Sequence, residues 1–386
     1  MRVLVVPTWY PSGEDKLMGN YHKEFTYALN KNGIKADMLF IDRQRSSKPI
    51  KYLFMKKKAI DKEENYNVYK YRMLNYSFVN FDFALKKYVE KFEKSLNDYI
   101  KTNGKPDLLH AQVTIPAGYA CAVVGKKLGI PVVVTEHCSS FKTFFKGNLE
   151  KYGKFVLENT CFSVVSNYMK EEILKFKNEC FVIPNIVDID LFKCNKKRKI
   201  DKCLKLISVC ALRQGKKIDV VFKAMRKLID EGYNIQYMVV GDGFEENYYK
   251  SKCIELELEN NVTFAGRRTK KQISDLLSDM HALVISSDVE TFAIPGIEAL
   301  ASGIPVISTK CLGPEEYINE DNGLLCEIDD ADSLALAIKK LYSDYEKYEP
   351  KILRESIMKF SSKNVALVAK KIYEGVIKWR RYYYVY

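Results

Sequence analysis

The feature that most limits how this chain can fold is a long alternation of strand-length apolar runs with helix-length amphipathic stretches, sustained over most of its 386 residues. It begins with "RVLVVPT", passes through "NYHKEFTYALNKNG", where apolar residues fall at helical spacing before a glycine stop, and returns to "KADMLFI". "PDLLHAQ", "AGYACAVVGKKLG", "IPVVVTEH", "CFSVVSN" and "CFVIPN" continue it. The strand-like runs are apolar throughout rather than at every second residue, which suits parallel strands covered by helices on both faces. After Phe192 the pattern lapses into "KCNKKRKIDK" and then restarts with "LKLISVCAL", "KKIDVVFKAMRKLIDEG", "IQYMVVGDG", "NVTFAGR", "ALVISS", "PGIEALASG" and "IPVIST". One charged break between two such series predicts an α/β protein of two doubly wound Rossmann-like domains, residues 1–192 and 204–362. Residues 193–203 read as the linker, and 363–386 as a closing helix and tail free to pack back on the first domain. The length accommodates two domains.

Several function classes recede on the same evidence. The opening apolar run "VLVV" is too short for a secretory core. No stretch approaches the roughly 18 apolar residues of a spanning helix. A cytoplasmic protein is expected, at most peripheral at the inner face of the cytoplasmic membrane. The ten cysteines stand singly, without CxxC or finger spacing, and read as reduced packing residues. "DID" at 188–190 resembles a metal-binding D-x-D, but after "IPNIV" it reads as a junction loop, so no metal is expected. The net charge of +13 points to an anionic partner, or to solubility alone. No aromatic-rich basic module supports nucleic acid, and no G-x-G-x-x-G supports a nicotinamide cofactor. The helical stretch "FALKKYVEKFEKSLNDYI" carries a stripe of Leu85, Val89, Phe92, Leu96 and Ile100 that reads as core-facing. With "KYLFMKKKAI" and "KWRRYYYVY" nearby in composition, contact with anionic lipid is the other reading.

In open α/β sheets ligands sit beyond the carboxyl ends of the strands, so both domains should offer loops to a central cleft. The segment "DVETFAIPGIEALASGIPVIS" (288–308) places Glu290 on the loop after one strand and Glu298 in the first turn of the next helix, with Pro295 and Gly296 at the start and Gly303 as the stop. Amides at 291–293 and the helix N-terminus suit a phosphate, and carboxylates accept hydrogen bonds from sugar and ribose hydroxyls. A solvated loop glutamate and a first-turn glutamate serving the helix dipole would look the same. "CALRQGKKID" puts Arg213, Lys216 and Lys217 inside five residues of the loop after a strand, which suits a diphosphate or a solvated basic loop. His137 follows a strand directly in "VVVTEHCSS". His110, His22 and His281 read as packing or helix-face residues.

"ETFAIPGIEALASGIPVIS" resembles the E-x7-E segment of family-4 retaining glycosyltransferases of GT-B architecture. "PTWYPS…MGNYHKEFTYAL", "DLLHAQ", "IPVVVTEHCSS", "VIPNIVDIDLF", "GPEE" and "NGLL" resemble further family segments in order along nearly the whole chain. The resemblance implies that Glu290 lies against the transferred sugar and Glu298 binds the donor ribose. It implies that the backbone at Phe292 and Ala293 holds sugar and phosphate, although the family usually has Gly where Ala293 stands. Lys216 matches the family lysine that holds the diphosphate. Arg213 is the candidate for the family arginine, which usually stands where this chain has Ala211. Gly19, rather than Gly13, is the expected phosphate-approach glycine, His137 the sugar-contacting histidine and Arg267 a base-side residue. The implied reaction is transfer from a nucleotide sugar, UDP-linked, to a glycan or lipid-linked acceptor with retention of configuration and no cofactor or metal. A nucleotide-sugar epimerase of the same architecture is the alternative.

Overall fold

A computed structural model describes residues 1–11, 19–44, 55–193 and 198–383, with side chains to residue 378. Gly13, residues 194–197 of the charged stretch, "KYLF" (51–54) and the side chains that close the chain lie outside the described residues. The chain forms two compact units: Met1–Ile186 with Ser362–Tyr386, and Val187–Ser361.

In the first unit the strands are β1 (Arg2–Pro7), β2 (Lys35–Gln44), β3 (Lys58–Lys62), β4 (Asn67–Leu74), β5 (Leu108–Gln112), β6 (Val132–Glu136), β7 (Cys161–Val164) and β8 (Phe181–Val182). They make one sheet in the order β3-β4-β2-β1-β5-β6-β7-β8. Among the described residues only the edge pair β3–β4 is antiparallel. These two strands were not apparent in the apolar pattern, because β3 is lysine-rich and half exposed, as edge strands are. The central strands behave as expected of a doubly covered sheet: Val3 to Val6 of β1, and Leu108 and Leu109 of β5, have no exposed surface. Val3 lies opposite Leu108, and Pro7 opposite Gln112. That register brings the ends of β1, β5 and β6 level, and loops carrying Gly19, Thr114 and His137 leave from them.

The second unit has β9 (Leu204–Val209), β10 (Ile235–Val240), β11 (Val262–Gly266), β12 (Ala282–Ile285), β13 (Val306–Thr309) and β14 (Gly323–Cys326) in one all-parallel sheet, ordered β11-β10-β9-β12-β13-β14. The order reverses beside β9 and β12, so a topological switch point lies between the loops that follow them.

The expected linker is not where the structure divides. Val187 already pairs with Ser361, and Phe192 is fully buried. Arg198 is buried too, and its guanidinium donates to the carbonyls of Leu277, Ser278, Ser302 and Gly303. Those carbonyls end the helices Lys270–Leu277 and Ile294–Ala301, where orphan acceptors and the negative dipole end favour a cation. The charge that reads as a solvated spacer is here an anchor. The helix Ser362–Tyr383 joins the first unit, burying Val365, Ala366, Ala369 and Tyr373 against Phe25, Ala28 and Leu29 of the helix Asn20–Lys31. On the helix Phe81–Asn103, Leu85, Phe92 and Leu96 of the expected stripe are buried with Tyr88 and Tyr99, whereas Val89 and Ile100 are half-buried at its edge.

Candidate functional site

In the second unit the loops leaving β9 and β12 are fastened together. Ser286 Oγ donates to the Lys216 carbonyl (2.7 Å), and the Asp288 amide donates to the Gly215 carbonyl (3.0 Å). This brings two of the sequence-predicted residues into direct contact: Lys216 Nζ forms an ion pair with Glu290 Oε1, which also accepts from Ser287 Oγ (2.7 Å). The Glu290 backbone is held as well. Its amide donates to the Cys311 carbonyl (2.8 Å), and its carbonyl accepts from the Gly313 amide (3.0 Å). Gly313 is required there, since a Cβ would stand 2.5 Å from the Phe292 amide nitrogen. Ser286, Ser287 and Gly313 were not assigned roles from the sequence, although the serines close "ALVISS" and Gly313 opens "GPEE".

Phe292 is buried, with ring centroids 5.1 Å from Phe360 and 5.7 Å from Tyr317. Only its backbone is therefore placed to meet a ligand. Ala293 caps the helix Ile294–Ala301 at φ 61°, ψ 74°, a left-handed conformation that glycine adopts freely and alanine does not. Its carbonyl accepts from the Tyr317 hydroxyl (2.9 Å). That phenol fills the space beside Gly296, where a Cβ would meet it at 2.2 Å.

Glu298 departs from expectation. It is the fifth residue of its helix, past the first turn, and no acidic residue serves that turn. Its side chain is 4% exposed and lies 3.0 Å from Lys270 Nζ through Oε1, an ion pair without a hydrogen bond of good geometry at that oxygen. Lys270 opens the helix Lys270–Leu277, and nothing in the linear pattern linked it to Glu298. Arg213 keeps its side chain exposed while its carbonyl accepts from the Tyr249 hydroxyl (3.0 Å). Arg267 is exposed just past β11. Burial pushes the thiols of Cys210 and Cys311 up to about 11, so both stay protonated at neutral pH and neither is a thiolate nucleophile.

In the first unit Gly19 caps the helix Asn20–Lys31 at φ 79°, and a Cβ there would lie 2.8 Å from the Trp9 carbonyl oxygen. His137 leaves β6 with its backbone set by Glu136. One oxygen of this fully buried carboxylate accepts the amides of His137 (2.8 Å) and Cys138 (2.7 Å), and the other accepts the amide and hydroxyl of Thr114 (2.8 and 2.6 Å). The His137 ring lies 2.6 Å from the Gln112 amide through Nε2 and also bonds Asn185. Burial pulls its pKa down to about 3, so the ring is neutral at pH 7. His110 is likewise held to about 3 by burial, with His137 adding to the effect, and it sits inside a hydroxyl network. His22 is fully buried; Gln112 lies beside it without completing a hydrogen bond to either ring nitrogen, and burial, His137 and His110 keep it neutral. His281 ties β9 to β12: its Nδ1 accepts from the Lys205 amide (2.9 Å). Asp188 of "DID" accepts the amides of Asp190 and Leu191 (3.0 Å each), a turn that occupies that oxygen.

Two family models match in succession: Glycosyltransferase Family 4 over residues 18–191 and Glycosyl transferases group 1 over residues 192–354. The chain belongs to the family-4, group 1 glycosyltransferases. Among its relatives are the N-acetyl-alpha-D-glucosaminyl L-malate synthase of Bacillus anthracis, 26% identical over 70% of this chain and 75% of that protein, and the putative teichuronic acid biosynthesis glycosyltransferase TuaC of Bacillus subtilis, 26% identical over 91% and 92%. Similar solved structures include a sucrose-phosphate synthase from Thermosynechococcus elongatus (TM-score 0.75, 19% identity, 98% and 100% covered). Another is Anabaena Alr3699/HepE in complex with UDP and glucose (TM-score 0.71, 17% identity, 97% and 100% covered). These neighbours identify the fold as GT-B. The protein is thus a glycosyltransferase. No helix among the described residues is long and apolar enough to cross a membrane.

Proposed function

We propose that this glycosyltransferase moves a sugar from a UDP-linked donor to a hydroxyl of a glycan or lipid-linked glycan, retaining the anomeric configuration and using neither cofactor nor metal. The observation that carries the reading is the Lys216–Glu290 pair, fastened by Ser286, Ser287 and Gly313 at the switch point of the second sheet. A lysine already aligned there meets the donor diphosphate with charge-assisted bonds and stabilises it as the glycosidic bond breaks. Arg213 adds a second cation, and the amides at 292–293 with the helix start add dipoles.

Each glutamate is partnered by its own lysine, Glu290 by Lys216 and Glu298 by Lys270. Lysine-paired carboxylates are set to accept hydrogen bonds from hydroxyls, an arrangement unlike a nucleophile–acid pair flanking one bond. Glu290 and His137 would orient the sugar, Glu298 the ribose, Gly19 the phosphate approach and Arg267 the base side. With Glu290 and Glu298 each paired to a lysine, the departing phosphate takes the acceptor proton on the same face of the sugar. A relative named for teichuronic acid biosynthesis and a neighbouring structure in complex with UDP and glucose support an envelope glycan and a UDP donor. Charge of +13 suits an anionic donor and an anionic inner-membrane surface.

The test is incubation of the purified protein with a panel of nucleotide sugars, with and without glycan and lipid extracts, followed by NMR of the product's anomeric centre. Acceptor-dependent transfer with retention, undiminished by a chelator, is expected. Sugar conversion from donor alone would replace the proposal with an epimerase.

A further inference from the structure

We propose that Tyr373, on the closing helix, is a positioning residue: through His110 and Gln112 it sets which ring nitrogen of His137 carries the proton. The three side chains connect in series. The Tyr373 hydroxyl lies 2.5 Å from His110 Nδ1. His110 Nε2 lies 2.7 Å from Thr135 Oγ1 and 3.2 Å from Gln112 Nε2, and Gln112 Oε1 is 2.6 Å from His137 Nε2. Tyr373, His110 and Thr135 are fully or almost fully buried, and Gln112 is 2% exposed, so bulk water does not supply missing partners.

Counting hydrogens fixes the direction. Ser163 Oγ donates its one hydrogen to the Val134 carbonyl (2.9 Å), which can only accept. The 2.7 Å contact between Thr135 and Ser163 then requires the Thr135 hydrogen. Thr135 Oγ1 must therefore accept from His110, which places the His110 proton on Nε2. The other end of the chain agrees. Among the described residues, Tyr373's hydroxyl has His110 Nδ1 as its hydrogen-bond partner, and a buried phenol left with its hydrogen unspent is unfavourable. Neutral His110, kept so by burial, has a bare Nδ1 to accept it.

Gln112 carries the information onward, because its amide has one donating and one accepting end. An Nε2–H on His110 attracts the oxygen, so the amide is turned over from its placement with Oε1 on His137, and its NH2 faces His137 Nε2. The two ends are nearly indistinguishable in shape, and it is the network that assigns them. His137 Nε2 is then the acceptor and its proton resides on Nδ1. The alternative arrangement, with the amide oxygen on His137, leaves a bare His110 Nε2 facing Thr135 Oγ1, whose own hydrogen is on Ser163, and the Tyr373 hydrogen unused.

The activity arm of the test rests on the proposed role of His137; the tautomer arm does not. Two-bond 1H–15N correlation spectra of the full chain should show His137 as a single Nδ1–H tautomer. In Tyr373→Phe, which keeps the packed ring, the His110 and His137 signals should move to averaged shifts. Donor KM should stay within twofold while transfer kcat falls about five- to tenfold. Tyr99→Phe removes another buried hydroxyl of the same unit, one bonded to Asp37 at 3.0 Å, and should change neither. An Nε2–H tautomer in the wild type, or spectra unchanged by Tyr373→Phe, overturns the relay. Altered tautomers with unaltered kcat overturn the role of His137 and leave the relay standing.

Discussion

Replacing Lys216 by Met and Glu290 by Gln, singly and together, tests whether the pair is built for a diphosphate or only for stability. The side chains are 13% and 16% exposed, too dry for a surface pair and too wet for a fully buried one. At an effective dielectric of ~20 two charges 4 Å apart attract by ~4 kcal/mol, and residual solvent lowers that, so a coupling of about 1–3 kcal/mol is expected from the stability cycle. Calorimetric titration with UDP separates the roles. Lys216→Met removes a charge-assisted bond of about 1.5–3 kcal/mol, which weakens UDP about 10- to 150-fold. Glu290→Gln acts in the opposite direction. It removes an anion that competes for the lysine, so UDP should bind roughly two- to tenfold tighter, while sugar transfer falls because the sugar's orienting carboxylate is gone. Opposite signs from two residues in mutual contact are hard to obtain from general destabilisation. If Lys216→Met leaves affinity within twofold, or Glu290→Gln weakens UDP as Lys216→Met does, the donor-site reasoning is refuted.

Three further outcomes follow from the geometry. Ala293→Gly relieves a left-handed residue worth about 1–2 kcal/mol, less about 0.5–1 for the added chain entropy, so the melting temperature should rise by about 2–4 °C; a fall would mean that the methyl packs. Lys270→Ala strands the buried Glu298 carboxylate and should destabilise by about 2–4 kcal/mol in urea unfolding, with Glu298→Gln restoring most of it in the same background; a loss under about 0.5 kcal/mol would show the pair to be idle. His110 and His137, held to about 3, and His22, also lowered, bind fewer protons folded than unfolded below the ordinary value of 6.5. Stability is therefore complete above pH 6.5 and declines as pH falls toward 3, by about 1.4 kcal/mol per pH unit for each histidine. His22→Phe should flatten that slope in unfolding measured from pH 7.5 to 4, and an unchanged slope would place the acid sensitivity elsewhere.

What could be read along the chain was whatever depends on near neighbours. The buried parallel strands announce themselves because both faces are covered, and Glu290, Lys216, Gly19 and His137 because each stands where a strand gives way to a loop. Lysine-rich β3 escaped since an edge strand needs no apolar run. Glu298 was placed one turn too early because Pro-Gly marks a helix start only to within a residue or two. The larger omissions share one physical origin. Arg198 meets carbonyls about eighty and a hundred residues away in sequence, and Tyr373 meets His110 across 263. Periodicity describes a solvent-averaged environment, whereas a buried polar atom is placed by the one partner that satisfies it. Lys216 could be found because a diphosphate asks for charge, and charge is visible in a sequence. His137 asks for a defined tautomer, and that depends on the last helix of the chain closing on the fifth strand. The histidine's proton is thus a property of the assembled first unit, and a variant that loosens Ser362–Tyr383 should disturb His137 before it disturbs Lys216.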